Sequence, residues 1–89
     1  MGMYLVYFES KNGDAVPEAA EKLINDYDGV RFHPGGWIIA ADRLTESIHR
    51  ELAQQLSEND YVIVTKITDD IAFTLPENIE RWIRRNLLR

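Results

Sequence analysis

Apolar and polar residues follow two different periods along the chain, and these predict alternating strands and helices. Residues 3–9 and 61–68 are dense in β-branched and aromatic side chains, which is typical of strands. Residues 16–27 instead carry apolar side chains at intervals of three and four, which predicts an amphipathic helix that starts near Pro17 and stops at Gly29. Its apolar stripe consists of Val16, Ala20, Leu23, Ile24 and Tyr27.

The middle and the end of the chain show the same two patterns. Residues 30–41 look like two short antiparallel strands around a Pro-Gly-Gly turn at 34–36. A second helix is predicted from a capping Thr45 to about Ser57. Residues 71–75 predict a short strand, and Pro76 opens a terminal helix that contains Trp82.

This order of elements predicts one α+β domain that covers residues 1–89. It matches the ferredoxin-like βαββαβ plan, in which two helices pack on one face of a four-stranded antiparallel sheet. Residues 71–89 then form an appendage made of a short C-terminal strand and a helix. No repeat, low-complexity tract or linker interrupts the chain.

Both faces of the central strands are apolar, which has a consequence for assembly. In the first strand Tyr4, Val6 and Phe8 alternate with Leu5 and Tyr7. Two helices cover only one face of such a sheet, and an uncovered apolar face is larger than ordinary monomers expose. We therefore expect a homodimer that forms through the sheet face, with residues 71–88 helping to cover or bridge it.

Composition and charge limit the setting and the partners. The 89 residues include no cysteine, which excludes disulfides and thiolate metal sites, and we expect neither a secretion signal nor a membrane span. The sequence thus predicts a cytoplasmic protein. Residues 1–80 hold 6 basic and 15 acidic side chains, whereas four arginines and no acid follow. The body of the protein should repel nucleic acid, and only the C-terminal arginines offer phosphates positive charge.

Several motifs together resemble one known family. The chain has a first strand that ends in the acid Glu9, and a Gly-Trp strand at 36–41 followed by Thr-Glu and a helix. It also has Asn-Asp-Tyr-Val-Ile-Val-Thr-Lys-Ile-Thr at 59–68, Leu-Pro-Glu at 75–77, and a last helix with a tryptophan. In this it resembles the small CRISPR-associated nucleases called Cas-two, and especially their SinR-like branch.

The resemblance implies a metal site at the position of Glu9. In that family an aspartate closes the first strand, and the pair from two subunits is proposed to hold Mg²⁺ for phosphodiester hydrolysis. Carboxylates facing each other across a two-fold axis are suitable ligands for Mg²⁺. Glutamate is one methylene longer, and a shift of about an ångström can cost about a hundredfold in rate. Glu9 is therefore either a metal ligand or a solvated strand end.

Other side chains have two interpretations each. Ser10 and Asn12 could bind phosphate or metal-bound water, or simply complete a turn. His33 is a candidate general acid beside the Pro-Gly-Gly turn, and His49 is more typical of packing within the second helix.

Aromatic and basic residues also leave two alternatives open. Phe32 and Trp37 could stack nucleic-acid bases, but cross-strand core packing is favoured. The C-terminal arginines either bind nucleic acid or form ion pairs with acids of the partner subunit, and ion pairing is favoured. These arginines are Arg81, Arg84, Arg85 and Arg89.

Two main functions follow from these observations. The favoured hypothesis is a non-catalytic dimeric scaffold or adaptor that binds a protein or nucleoprotein partner, because the body is acidic and the usual aspartate is replaced. The alternative is a metal-dependent endonuclease of RNA or DNA, with Glu9 from both subunits at a dyad metal site. A third hypothesis is a protein of a phage or mobile element whose acidic surface engages a basic, nucleic-acid-binding protein.

Overall fold

A computed structural model describes residues 2–87 of the chain. Its elements are β1 (Gly2–Ser10), α1 (Glu18–Asn25), β2 (Asp28–His33), β3 (Gly36–Ala41), α2 (Thr45–Ala53), β4 (Asp60–Ile67) and α3 (Glu77–Leu87). The four strands form one antiparallel sheet. The prediction of an α+β protein with a four-stranded antiparallel sheet is therefore confirmed.

The strands lie in the order β2-β3-β1-β4, so that β1 and β3 are central and β2 and β4 form the two edges. Tyr7 of β1 lies opposite Gly36 of β3 on one side and Ile63 of β4 on the other. The β2–β3 ladder shifts register between Arg31 and His33. The ladder between β1 and β4 runs without a shift from Met3 to Ser10.

The first face of the sheet carries α1 and α2. Even-numbered residues of β1 meet odd-numbered residues of β3 here, because side chains alternate between the faces of a sheet. Ala20 and Ile24 of α1 and Ile48 and Leu52 of α2 cover them. The main core consists of these four residues with Tyr4, Val6, Phe8, Trp37, Ile39 and Ala41.

The second face is covered in part by α3. Ile79 and Ile83 of this helix are buried against Met3 of β1 and Ile38 of β3. Phe73 and Leu75 of the segment before α3 pack against the same cluster, as do Trp82 and Leu87 of α3. The C-terminal appendage thus covers much of this face within one chain.

The predicted strand at residues 71–75 is wrong. Residues 68–76 have no regular secondary structure, although Phe73 and Leu75 point towards the second face. The alternation of apolar residues that resembled a strand instead lets this segment cross the face and place its side chains beneath α3. Packing against the sheet, and not pairing with an edge, fixes its position.

Part of the second face stays open beyond the reach of α3. We call it the open half-face, and its residues are Tyr7, Glu9, Tyr61 and Ile63. Tyr61 is 49% and Ile63 is 62% exposed, and both lie on the edge strand β4. The chain therefore presents apolar side chains to solvent along one border of its sheet.

The helices are shorter than the sequence predicts. α1 begins at Glu18, because the carbonyl of Pro17 accepts the first helical bond from the N–H of Glu21 at 3.0 Å. Gly29 does not end α1; it lies in β2, opposite Ile39. Thr45 is the first residue of α2, whereas Leu44 holds the cap position and provides no capping side chain.

Ser57 lies beyond the end of α2 at Ala53 and takes part in the turn that leads to β4. Its N–H and its hydroxyl donate to the same Asp60 carboxylate oxygen at 2.9 and 3.0 Å. This turn fixes the start of β4. Among residues 2–87, none of the three helices combines the length and apolarity needed to cross a lipid bilayer.

Candidate functional site

A cleft of about 400 Å³ lies where β1 ends. It is bounded by the connection at residues 11–17, by the β2–β3 turn and by the start of β4. Glu9, Ser10 and His33 all line it. The structure thus brings together the three residues that the sequence singled out for catalysis.

The β2–β3 turn closes one side of the cleft because Gly35 approaches β1 closely. The N–H of Phe8 donates to the carbonyl oxygen of Gly35 at 2.7 Å. A Cβ atom on Gly35 would collide with the carbonyl oxygen of Phe8. Glycine at this position is therefore a condition for the turn to meet β1 and carry His33 to the cleft.

Ser10 is part of the turn that follows β1. Its hydroxyl accepts a hydrogen bond from the N–H of Asn12 at 3.2 Å, and its carbonyl accepts one from Gly13 at 3.1 Å. Gly13 has a φ of 71°, a left-handed conformation that glycine adopts without strain. These contacts give Ser10 and Asn12 a structural role in the turn.

His33 is exposed and is oriented by two neighbours. Its Nδ1 atom accepts a hydrogen bond from the N–H of Gly35 at 3.1 Å, which leaves Nε2 to carry the proton of the neutral ring. The ring centre lies 5.7 Å from that of Tyr7, with the planes tilted by 47°. Nε2 is thus the atom of His33 that can donate to a molecule in the cleft.

Glu9 is exposed at the end of β1, opposite Tyr61 of β4. Mg²⁺ takes oxygen ligands in octahedral geometry and usually keeps several waters, so that one or two carboxylates with substrate phosphates complete its site. Within residues 2–87, no three His, Asp or Glu side chains are grouped so that they could hold a metal ion. A site that used two Glu9 carboxylates would take the second one from another copy of the chain.

Arg31 is a residue of the cleft that sequence reasoning missed. Its guanidinium carbon lies 4.3 Å from the ring centre of Trp37, the residue opposite it on β3. It also forms an ion pair with Glu21 at 3.0 Å and donates to the carbonyl of Pro34. The signal in the sequence was the arginine placed across the hairpin from a tryptophan. Asp14 and Asp60, which also line the cleft, were likewise missed.

Arg81, Arg84 and Arg85 lie on α3, away from the cleft. Arg81 pairs with Glu77 at 2.8 Å and Arg84 pairs with Glu80 at 3.0 Å, each one turn earlier in the same helix. Arg85 is exposed, and Arg89 lies outside the described residues. The acids that pair with Arg81 and Arg84 therefore belong to α3 itself, and the expected pairing with the body of a partner subunit stays a prediction.

The fold corrects one prediction and confirms another. His49 is exposed on α2 and does not pack in the core, because the apolar side of α2 is formed by Ile48 and Leu52. Phe32 and Trp37 do pack in the core as favoured, but on opposite faces of the sheet, so they do not contact each other. Trp37 instead meets Phe8 edge-on, with ring centres 5.8 Å apart.

One shifted pKa marks a contact outside the cleft. A hydrogen bond to the carboxylate of Glu51 raises the pKa of the Arg43 guanidinium, and Tyr27 adds to the effect. The hydroxyl of Tyr4 donates to the carbonyl of Arg43. Arg43 thus links the β3–α2 connection to α2 through Glu51 and to the α1–β2 connection through Tyr27.

Comparisons with models of protein families, with curated proteins and with solved structures return no significant match to this chain.

Proposed function

We propose that this chain is a Cas-two-like domain with a ferredoxin-like fold, and that it acts as a non-catalytic homodimeric scaffold for a protein or nucleoprotein partner. The fold proposal is supported by the order β1-α1-β2-β3-α2-β4 and by the strand order β2-β3-β1-β4. α1 and α2 on one face agree with the same plan.

The observation that carries the scaffold proposal is the open half-face. Ile63 is 62% exposed in a protein whose other isoleucines are buried or half-buried in the described residues. Tyr7 and Tyr61 flank it on β1 and β4. A chain of 89 residues has a modest core, so covering Ile63 with a second copy would add stability.

The polar groups of the cleft support a structural use. The hydroxyl of Ser10 holds the turn after β1, and Nδ1 of His33 holds the β2–β3 turn. Both side chains thus serve the fold in ways that need no substrate. Glu9 is exposed at its strand end.

Charge supports a basic partner. The chain carries a net charge of −5. Five of its arginines are paired with glutamates of the same chain, so their positive charge is largely compensated. A basic protein, alone or bound to nucleic acid, would be attracted to such a surface.

Sedimentation of the wild-type chain and of Ile63→Asp tests the scaffold proposal. We expect a wild-type dimer and a variant that is largely monomeric, because the new charge would be buried in the interface. Leu44→Asp is a matched control, since Leu44 is 75% exposed on the β3–α2 connection, outside the open half-face. A monomeric wild-type chain at high micromolar concentration would overturn the proposal.

One observation favours a second candidate, the metal-dependent endonuclease. The cleft gathers Glu9, Ser10 and His33 at one end of β1. Two Glu9 carboxylates from a dimer would hold the metal, which would supply an activated water, and Nε2 of His33 would donate to phosphate.

Incubation with single- and double-stranded RNA and DNA in Mg²⁺ tests this candidate. If Glu9 acts in cleavage, Glu9→Ala abolishes activity, and Glu9→Asp changes the rate by up to about a hundredfold because the carboxylate moves by about an ångström. Equal cleavage by wild type and Glu9→Ala would exclude Glu9 as a catalytic group.

A further inference from the structure

The outer side of β4 presents unpaired backbone groups. The bond from Lys11 N–H to the Asn59 carbonyl at 2.8 Å extends the β1–β4 ladder, whereas Phe8 bonds towards β3. Hydrogen-bonding direction alternates along a strand, so odd-numbered residues of β4 bond to β1 and even-numbered ones point outward. Val62 and Val64 therefore direct their N–H and C=O groups away from the sheet.

This edge is open to another strand. Within the described part of the chain, β1 is the one strand that pairs with β4. A groove lies along β4 on the side of α2, lined by His49, Ala53 and Val62 among others. β4 contains no proline and no bulge, and Lys66 is its one basic residue. Strands of this kind readily accept a further strand.

The sequence of β4 is complementary to itself when two copies run antiparallel. With Ile63 opposite Ile63 of the second copy, Val62 lies opposite Val64, and Tyr61 lies opposite Thr65. The same register sets Asp60 opposite Lys66 at both ends, so that two pairs of opposite charge close the interface. It lies entirely within β4, which spans Asp60–Ile67.

Neighbouring registers lose this match. The backbone pattern requires even-numbered residues to face even-numbered ones, so the register can shift only by two residues. A centre at Val62 would set Asp60 against Val64, and a centre at Val64 would set Lys66 against Val62. Both alternatives place a charged side chain opposite a valine.

We propose that a second copy of this chain docks on the edge of β4 by antiparallel pairing centred on Ile63. The proposal rests on the proposed dimeric scaffold and specifies how the dimer forms. Val62 N–H donates to the Val64 carbonyl of the second copy, and Val64 N–H donates to its Val62 carbonyl. The two sheets join into one, and the two Ile63 side chains cover part of each other where the two open half-faces meet.

Cysteine cross-linking tests the register, because the chain has no cysteine of its own. In the proposed pairing Ile63 faces its own copy in a non-hydrogen-bonded pair with Cα atoms about 4.5 Å apart, which a disulfide can bridge. The matched control is Tyr61→Cys, on the same strand and face. Its two copies would lie roughly 14 Å apart along the strands, too far for a disulfide.

Both variants are oxidised at the concentration at which the wild-type chain sediments as a dimer. We expect nearly complete covalent dimer for Ile63→Cys and at least tenfold slower cross-linking for Tyr61→Cys. If the chain is a dimer but the two variants cross-link equally, or neither does, the edge pairing is overturned while the scaffold stands. A wild-type monomer would overturn both proposals.

Discussion

Gly35 of the β2–β3 turn and Phe8 of β1 are held together by a hydrogen bond and by a close backbone approach. The N–H of Phe8 donates to the Gly35 carbonyl, and the Phe8 carbonyl fills the space that a Cβ on Gly35 would need. This contact sets the wall of the cleft that bears His33.

We predict that Gly35→Ala lowers the free energy of unfolding by about 2–3 kcal/mol, because turn and strand must separate to admit the methyl group. Urea denaturation measures the loss. Gly13→Ala is the control: its φ of 71° strains alanine, but open space surrounds it, so its cost should be about 1 kcal/mol. Equal losses in the two variants would show that the close approach does not matter.

Lys66→Glu should weaken the dimer because it sets two acids opposite each other at both ends of the paired strands. Cross-strand charge pairs contribute roughly 0.2–1 kcal/mol each, and two pairs turn repulsive. The lost attraction alone should therefore raise the dissociation constant about two- to thirtyfold, measured by sedimentation, and the repulsion should raise it further. Lys22→Glu makes the same charge change on α1 and should have little effect. An equal rise in both variants would trace the effect to net charge and contradict the register.

Leu44→Asp should stabilise the protein. Leu44 holds the cap position of α2 in an extended conformation and gives no side-chain hydrogen bond to the first turn. An aspartate there can accept from those N–H groups and complement the helix dipole, which is worth about 0.5–2 kcal/mol. Thermal unfolding should show a higher midpoint for Leu44→Asp than for Leu44→Ala. A midpoint no higher than that of the alanine variant would contradict the assignment of the cap.

The contact of Arg31 with Trp37 should stabilise the hairpin more than the ion pair with Glu21 does. Both charged side chains of the pair are more than a third exposed, and such surface pairs contribute little. The guanidinium lies over the indole ring, and we expect about 0.5–1 kcal/mol from that contact. Arg31→Met removes both contacts, whereas Glu21→Gln removes the ion pair alone, so Arg31→Met should be clearly less stable in urea denaturation. Equal losses in the two variants would show that the ion pair dominates.

A comparison of Ile83→Ala with Ile63→Ala should separate the contribution of α3 to stability from that of the open half-face. Ile83 is fully buried between α3 and the second face, so its truncation should cost about 2–4 kcal/mol. Ile63→Ala removes the same atoms from an exposed site and should change the stability of the monomer little. Denaturation at concentrations below the dimer dissociation constant compares the two. Similar costs would mean that Ile63 is packed within the monomer.

Strand patterns predicted the sheet well because residues 3–9 and 61–68, which form most of β1 and β4, are dense in β-branched and aromatic residues. The helix ends were predicted less well. The sequence predicts that α1 starts near Pro17 and that Thr45 caps α2. In the structure α1 starts at Glu18, and Thr45 is the first residue of α2 while Leu44 holds the cap position. Local preferences place a start to within a few residues, and the packing of Ile24 and Ile48 on the sheet decides the rest.

The candidate site shows the same division between local and long-range information. Glu9, Ser10 and His33 were singled out from turns and a strand end, and the cleft brings them together. Arg31 was missed because its role depends on the register that sets it opposite Trp37, and register is a property of two strands. The prediction of a strand at 71–75 fails for a similar reason. Its alternating apolar side chains pack on the second face of the sheet, and its backbone does not pair with an edge strand.

The irregular register of β2 between Arg31 and His33 has a consequence for the size of the assembly. Pairing through β4 uses the regular edge of each copy and leaves only the β2 edges at the outside. β2 is a short strand with an irregular register, and such a strand is a poor template for pairing with a further copy. Growth by strand addition would stop after two chains, so the particle is finite and the same edge chemistry that joins two copies does not lead to fibres.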